Sequence, residues 1–259
     1  MLLDDAFDRR SVRWFERLYG AALLVEVATQ IASGVWQVHT GALYPWRHLG
    51  IVPLAPPALV ATEWALVVAC ATALLIDRGR RAAWRVLAPV LLWGVLQRFS
   101  NHGSLFFMIA LFVAMSPPDL GESFETSEQP NLGLVRAQIV IVYVVSALAK
   151  LLHGFTSGAS LTHLFHLTPG VAKAGSWVVI AGELALAVLV VKRPRIAVVA
   201  AAAMHGAFAL AIPNVLSFGL AMVAMAALWN RALNRERGGP SPSPSDRAAS
   251  DALPPPPRT

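Results

Sequence analysis

The sequence predicts an all-α membrane protein, a polytopic bundle of about eight transmembrane helices, and three observations support this class. Of the 259 residues, 56% are hydrophobic and only 14% carry charge, whereas soluble domains carry about 25% charged residues. The apolar residues form long runs without strict alternation, which in lipid indicates helices. The charges that make up the net +6 lie at the ends of these runs, a pattern typical of membrane orientation signals and not of nucleic-acid binding.

The predicted spans are eight apolar segments separated by prolines and charged turns. They cover residues 18–38, 58–76, 82–98, 104–116, 134–152, 174–191, 195–212 and 214–229. At roughly 20 residues per span, they leave no room for a sizeable soluble domain. The fourth segment is only about 20 Å long. Either residues 98–102 dip below the outer surface, or the segment belongs to a helix hairpin in which Asn101 and His102 only cap helix ends; both interpretations stay open. Between the fifth and sixth segments, residues 153–170 predict a short helix in the outer interface.

The distribution of lysine and arginine predicts the orientation of the bundle. One side of the membrane receives most of these residues: Arg9, Arg10, Arg13, Arg17, Arg78, Arg80, Arg81, Arg85, Arg136, Lys192, Arg193, Arg195, Arg231, Arg235 and Arg237. The other side receives Arg47, Arg98, Lys150 and Lys173. Because cytoplasmic loops are enriched in these residues, both termini are expected in the cytoplasm of a multi-pass cell-membrane protein. The expected domains are a cytoplasmic segment 1–17, a transmembrane domain 18–229 and a disordered Pro/Ser-rich tail 230–259.

The histidines point to the outer face as the place for chemistry. Six of them fall in outer loops or at outer helix ends, and the seventh lies midway along the seventh span: His39, His48, His102, His153, His163 and His166, then His205. His163 and His166, three residues apart, could face one metal ion. No Asp, Glu or Cys lies nearby in sequence, so no metal site is expected and this pair stays a weak alternative.

A polar stripe follows one face of the fifth span. Tyr143, Ser146, Lys150 and His153 recur at three- and four-residue spacing. Two interpretations of Lys150 stay open: it reaches up to the headgroups, or it loses its proton in a dry pocket and acts as a base. The chain has three lysines against 18 arginines, so lysine is not its usual boundary cation, which favours the second interpretation.

Three acids lie inside the predicted spans and require partners. Glu26, Glu63 and Glu183 would each cost about 3 kcal/mol at a helix centre if ionised and unpaired. Glu183 and His205 lie at comparable depth on successive spans, so a Glu183–His205 pair is expected. Such a pair could equally serve only to hold two helices together.

The residues now singled out resemble a known family. The blocks that carry the resemblance are Asn101-His-Gly-Ser-Leu105, Tyr143-Val-Val-Ser-Ala-Leu-Ala-Lys-Leu151, Phe155-Thr-Ser-Gly158, and His205 with Asn214-Val-Leu-Ser-Phe218. They look like the HTTM domain, the membrane domain of vitamin K-dependent γ-carboxylases and their bacterial relatives. The resemblance covers roughly residues 10–229. The family usually has Ala-Gly at the place of Ser146-Ala147 and a tryptophan at the place of Phe155.

The resemblance implies an outer-facing pocket for a reduced quinone. Lys150 would be the base that starts quinol oxygenation and His102 its catalytic neighbour, with Asn101, Tyr143, His205 and Glu183 lining the pocket. The carboxylases carry a large soluble region after this domain, and here a Pro/Ser-rich tail follows, so protein carboxylation itself is not expected.

Two functions stay open at this stage. The first is a membrane enzyme that uses a lipophilic quinol in contact with membrane lipids. The alternative is a non-enzymatic membrane protein that binds or exports a peptide or lipid, like the sporulation-delaying protein B group. Convergence of Lys150, His102 and His205 in one cavity would favour the enzyme, and dispersal around the perimeter would favour the alternative.

Overall fold

The computed structural model describes residues 9–34, 55–97, 101–115, 130–212 and 215–229, and these residues form nine α-helices and no strand. The all-α prediction is therefore confirmed for the described part of the chain. The predicted tail 230–259, residues 1–8, His39 and His48 lie outside the described residues. The helices are α1 Arg9–Ala32, α2 Pro57–Leu75, α3 Arg80–Gln97, α4 Asn101–Ala114, α5 Pro130–Leu152, α6 Ala159–Phe165, α7 Pro169–Lys192, α8 Pro194–Ala211 and α9 Val215–Ala227.

The helix boundaries follow local sequence signals. Helices α2, α7 and α8 each begin with a proline, whose missing N–H is not needed in the first turn. A 3-10 turn over Phe155–Ser157 and the short α6 occupy the connection between α5 and α7, where a short helix was predicted. Gly158, with a φ of 83°, is the N-cap residue immediately before α6.

The first helix begins nine residues before the predicted first span. Val12, Phe15 and Tyr19 form a buried face along its first turns, although arginines surround them in sequence. The burial of this face continues the helix back to Arg9, so much of the segment predicted as 1–17 belongs to the bundle.

Helices α1 and α9 lie at the centre of the packing. Helix α1 packs between α2 and α9, and α9 also packs against α8 and α5. Successive helices pack as neighbours from α2 to α5 and from α7 to α9. Small residues make α9 the most enclosed of these helices, with Gly219, Ala221 and Ala224 buried beside Met222 and Met225. Small side chains allow helices to approach closely.

Charged side chains hold the helices together at the end of the bundle where α1 begins. Glu16 is buried, accepts a hydrogen bond from Trp84 Nε1 at 2.9 Å and pairs with Arg80. The buried Arg136 of α5 donates from Nε and Nη2 to the Leu228 carbonyl at 2.9 and 2.6 Å. Arg136 thereby satisfies a carbonyl just after α9, which the helix itself leaves without a donor.

Three helices in the described part of the chain are long and apolar enough to cross a membrane: Pro57–Leu75, Gly133–Leu152 and Pro169–Lys192. Three shorter apolar helices cover His102–Ala114, Pro194–Leu210 and Val215–Ala227. The outward faces of these helices carry large apolar side chains, such as Val178 with 71% exposure and Leu210 with 89%. Apolar surface of this extent suits contact with lipid, so the fold is that of a membrane-associated helical bundle.

Candidate functional site

A polar cluster of three side chains joins α5 to α7. Lys150 Nζ donates to Ser146 Oγ at 2.6 Å and to Glu183 Oε1 at 2.7 Å, and Ser146 Oγ donates to the same Glu183 oxygen at 2.9 Å. We call these three residues the lysine triangle. Ser146 and Lys150 lie one turn apart on α5, so both face α7 and reach one carboxylate.

Burial distinguishes the two charged members of the lysine triangle. Glu183 is 6% exposed, whereas the Lys150 side chain retains 25% exposure. A buried carboxylate requires a partner of opposite charge, and Lys150 supplies it. The second oxygen, Glu183 Oε2, has no hydrogen-bond partner among the described residues.

Glu183 lies in the middle part of α7. It is roughly 20 Å along the helix from Pro169 and roughly 14 Å from Lys192. The Lys150 amine, which comes from the last turn of α5, also lies 5.8 Å from the centroid of the Phe155 ring. The geometry therefore pairs Lys150 with a carboxylate near the middle of α7.

Tyr143 and His205 form a second contact, two turns along α5 from Lys150. The Tyr143 hydroxyl and His205 Nε2 are 3.1 Å apart, and both residues are buried. The sequence favoured a Glu183–His205 pair. In the structure Glu183 bonds to Lys150 and Ser146, and His205 bonds to Tyr143. The pairing depends on how each helix is rotated about its axis, and the position of a residue along its predicted span does not determine that rotation.

His102 belongs to a separate cluster on α1, α4 and α9. Glu26 accepts hydrogen bonds from Gln30 Nε2 and from Ser217 Oγ. His102 Nδ1 lies 4.0 Å from Glu26 Oε2, which is close enough for charge attraction and too far for a direct hydrogen bond. We call this group the glutamate cluster.

An aromatic side chain separates the two clusters. The Phe218 ring stacks on His102 with centroids 5.2 Å apart and meets His205 edge to face at 5.6 Å. The predicted pocket residues thus form two groups. Tyr143, His205, Lys150 and Glu183 lie along α5, α7 and α8, whereas His102 lies across Phe218 with Glu26.

The sequence did not predict three features of this arrangement. These are the hydrogen bond of Ser146 to Glu183, the hydrogen bond of Ser217 to Glu26, and the position of Phe218 between the two histidines. One signal was available for Glu26, since an acid inside a predicted span requires a partner. The side chain of Asn101 lies outside the described residues, although α4 begins at this residue.

The described residues contain no group of three or more His, Cys, Asp or Glu side chains that could hold a metal ion. His163 lies within α6, and His166 ends that helix with a φ of 53°; both are exposed. Nothing in this part of the chain adds a third ligand to the pair.

Comparison with known protein families, with curated proteins and with solved structures finds no match to this chain.

Proposed function

We propose that this chain is an HTTM-type, multi-pass cell-membrane protein that binds a lipophilic quinol at the lysine triangle and acts on it. It would have eight spans, both termini in the cytoplasm and the triangle facing the outer half of the membrane. The observation that carries the proposal is the part-buried Lys150–Ser146–Glu183 triangle, whose carboxylate is buried inside an apolar bundle.

The charge arrangement supports a ligand with an acidic hydroxyl. A buried ion pair is costly to desolvate and adds little stability compared with an apolar pair of the same size. Simple packing therefore does not explain a lysine and a glutamate at this depth. A hydroxyl that loses its proton to become an anion would be stabilised by the Lys150 ammonium, as in other desolvated sites with preorganised charge.

The surroundings support a lipophilic ligand. The exposed faces of α5 and α7 next to the triangle are apolar, with Leu148, Val178 and Leu184 on the outside. A ligand dissolved in the membrane could approach along these faces without crossing water. A reduced quinone combines both properties, an apolar body and two weakly acidic hydroxyls, and agrees with the resemblance to the HTTM domain.

The test is mass spectrometry of lipids extracted from the purified chain. We expect a quinone to co-purify with the parent protein and to be depleted from Lys150→Met. Lys173→Met is the matched control, because Lys173 is an exposed lysine of α7 with no partner among the described residues. Equal quinone content in both variants, or none in the parent protein, would refute the proposal. The absence of quinone would favour a protein that binds a peptide or another lipid.

A further inference from the structure

The second oxygen of Glu183 is the polar atom that the lysine triangle leaves unused. Glu183 Oε2 is buried and has no hydrogen-bond partner in the described part of the chain. Buried carboxylate oxygens normally accept at least one hydrogen bond, and leaving one without a donor is unfavourable. A bound molecule that brings a hydrogen-bond donor would satisfy it.

The other donors and acceptors of the triangle are already engaged. Of the three N–H groups of a lysine ammonium, Lys150 gives two to Ser146 Oγ and Glu183 Oε1, and its Nζ lies 5.8 Å from the centroid of the Phe155 ring. The single hydrogen of the Ser146 hydroxyl goes to Glu183 Oε1. Oε1 therefore accepts two hydrogen bonds and Oε2 accepts none.

We propose that Glu183 Oε2 accepts the hydroxyl proton of the bound quinol and that Lys150 remains an ammonium throughout. This inference rests on the proposed function. The ligand O–H bond breaks and the Oε2–H bond forms, while the bonding electron pair stays on the ligand oxygen as a quinolate. Lys150 then stabilises the quinolate as its counter-charge.

This assignment differs from the one that the resemblance implies, in which the lysine is the base. To act as a base, Lys150 would first have to give up a proton and lose its charge attraction to Glu183. The Oε2 lone pairs are available without any prior step. Transfer of the proton to Glu183 also moves one negative charge onto the ligand and leaves the net charge of the buried site unchanged, so it adds no new desolvated charge.

The ligand would enter beside Lys150. The lysine side chain is one quarter exposed, whereas Glu183 is almost fully covered. A hydroxyl that passes the ammonium meets the carboxylate behind it. The site would therefore select ligands with a free hydroxyl at one end and would reject the same ligand with that hydroxyl blocked.

The experiment uses the full chain in detergent and two probes: a reduced naphthoquinone with a short isoprenoid tail, and the methyl ether of its ring hydroxyls. Dissociation constants are measured for both, and the absorbance of quinolate is recorded on binding. We expect the parent protein to bind the quinol at least about tenfold more tightly than the ether, the usual effect of a hydrogen bond to a charged group. We expect Glu183→Gln to lose both this preference and the quinolate band.

Lys150→Arg identifies the base, because arginine keeps the charge and does not release its proton. If Glu183 is the base, this variant keeps the quinolate band. If the band disappears while the quinol still binds, Lys150 is the base and the inference is wrong. Hydroxyl preference in Glu183→Gln equal to that of the parent would also overturn it. If the parent protein does not bind the quinol, the proposed function fails and this inference fails with it. The quinolate band of Lys150→Arg still distinguishes the two candidate bases if Glu183→Gln does not fold.

Discussion

The close approach of α8 and α9 can be tested by one added methyl group. A Cβ atom at Gly219 would lie 2.6 Å from His205 Cβ and 3.2 Å from His205 Cγ. Carbon atoms pack best at about 3.5–4.0 Å, so Gly219→Ala must separate the two helices by about 1 Å, because rotation of the His205 side chain leaves its Cβ in place. This movement disturbs the 3.1 Å contact of His205 with Tyr143.

The magnitude follows from three terms. Overpacking in a tight core costs about 1–3 kcal/mol, and loss of the Tyr143–His205 hydrogen bond costs about 0.5–1.5 kcal/mol. Replacing glycine by alanine inside a helix recovers about 0.5–1 kcal/mol. The expected result is a net destabilisation of about 0.5–4 kcal/mol, centred near 2 kcal/mol.

Gly206→Ala is the matched control, because Gly206 lies next to His205 on α8 and no atom would lie within 4 Å of its added Cβ. This variant should be unchanged or more stable by up to about 1 kcal/mol. The assay is thermal unfolding of both variants in one detergent, where each kcal/mol corresponds to roughly 2–4 °C in a chain of this size. If Gly219→Ala unfolds at the same temperature as Gly206→Ala, α8 and α9 do not approach as closely as described.

Two further substitution sets test the bundle. Arg136→Met should destabilise the protein by about 3–5 kcal/mol, since it removes two charge-assisted hydrogen bonds and a contact with the Trp229 indole ring 5.5 Å away. The control is Arg85→Met, which removes an exposed arginine and should change the unfolding temperature little. Equal effects of the two substitutions would contradict a stabilising role for the buried Arg136. For orientation, single cysteines at Thr168 and Arg78, two exposed positions in predicted loops, are compared in a Cys70→Ala background. An impermeant maleimide should label position 168 in intact cells and position 78 only after lysis, and the reverse result would invert the proposed topology.

Most helix positions were predictable because their signals are local. The segment predicted at 58–76 is the helix Pro57–Leu75, and the segment predicted at 195–212 is Pro194–Ala211, since prolines and charged turns define both from nearby sequence. Helix α1 begins before the predicted span 18–38, because Val12 and Phe15 add an apolar face among the arginines. That face is recognisable only once the neighbouring helices cover it.

The need for partners inside the bundle was predictable, but their identity was not. An acid in an apolar span must be paired, which applies to both Glu26 and Glu183. The actual partners depend on helix rotation and on close approaches such as that at Gly219. These are non-local properties. The position of each residue along its span therefore could not distinguish the expected Glu183–His205 pair from the observed Lys150–Glu183 pair.

The connection between α5 and α7 depends on one close approach that local sequence signals do not reveal. Helix α7 has most of its length beyond Glu183 on the Pro169 side, and the 3-10 turn and α6 pack against this helix. Gly158 permits this contact, because a Cβ there would lie 2.5 Å from the Lys173 backbone nitrogen. The connection thus lies beside α7, and its Phe155 ring is 5.8 Å from Lys150 Nζ. If the proposed ligand approaches Lys150 past this ring or along the apolar outer side of α5, an apolar molecule is favoured over a water-soluble one.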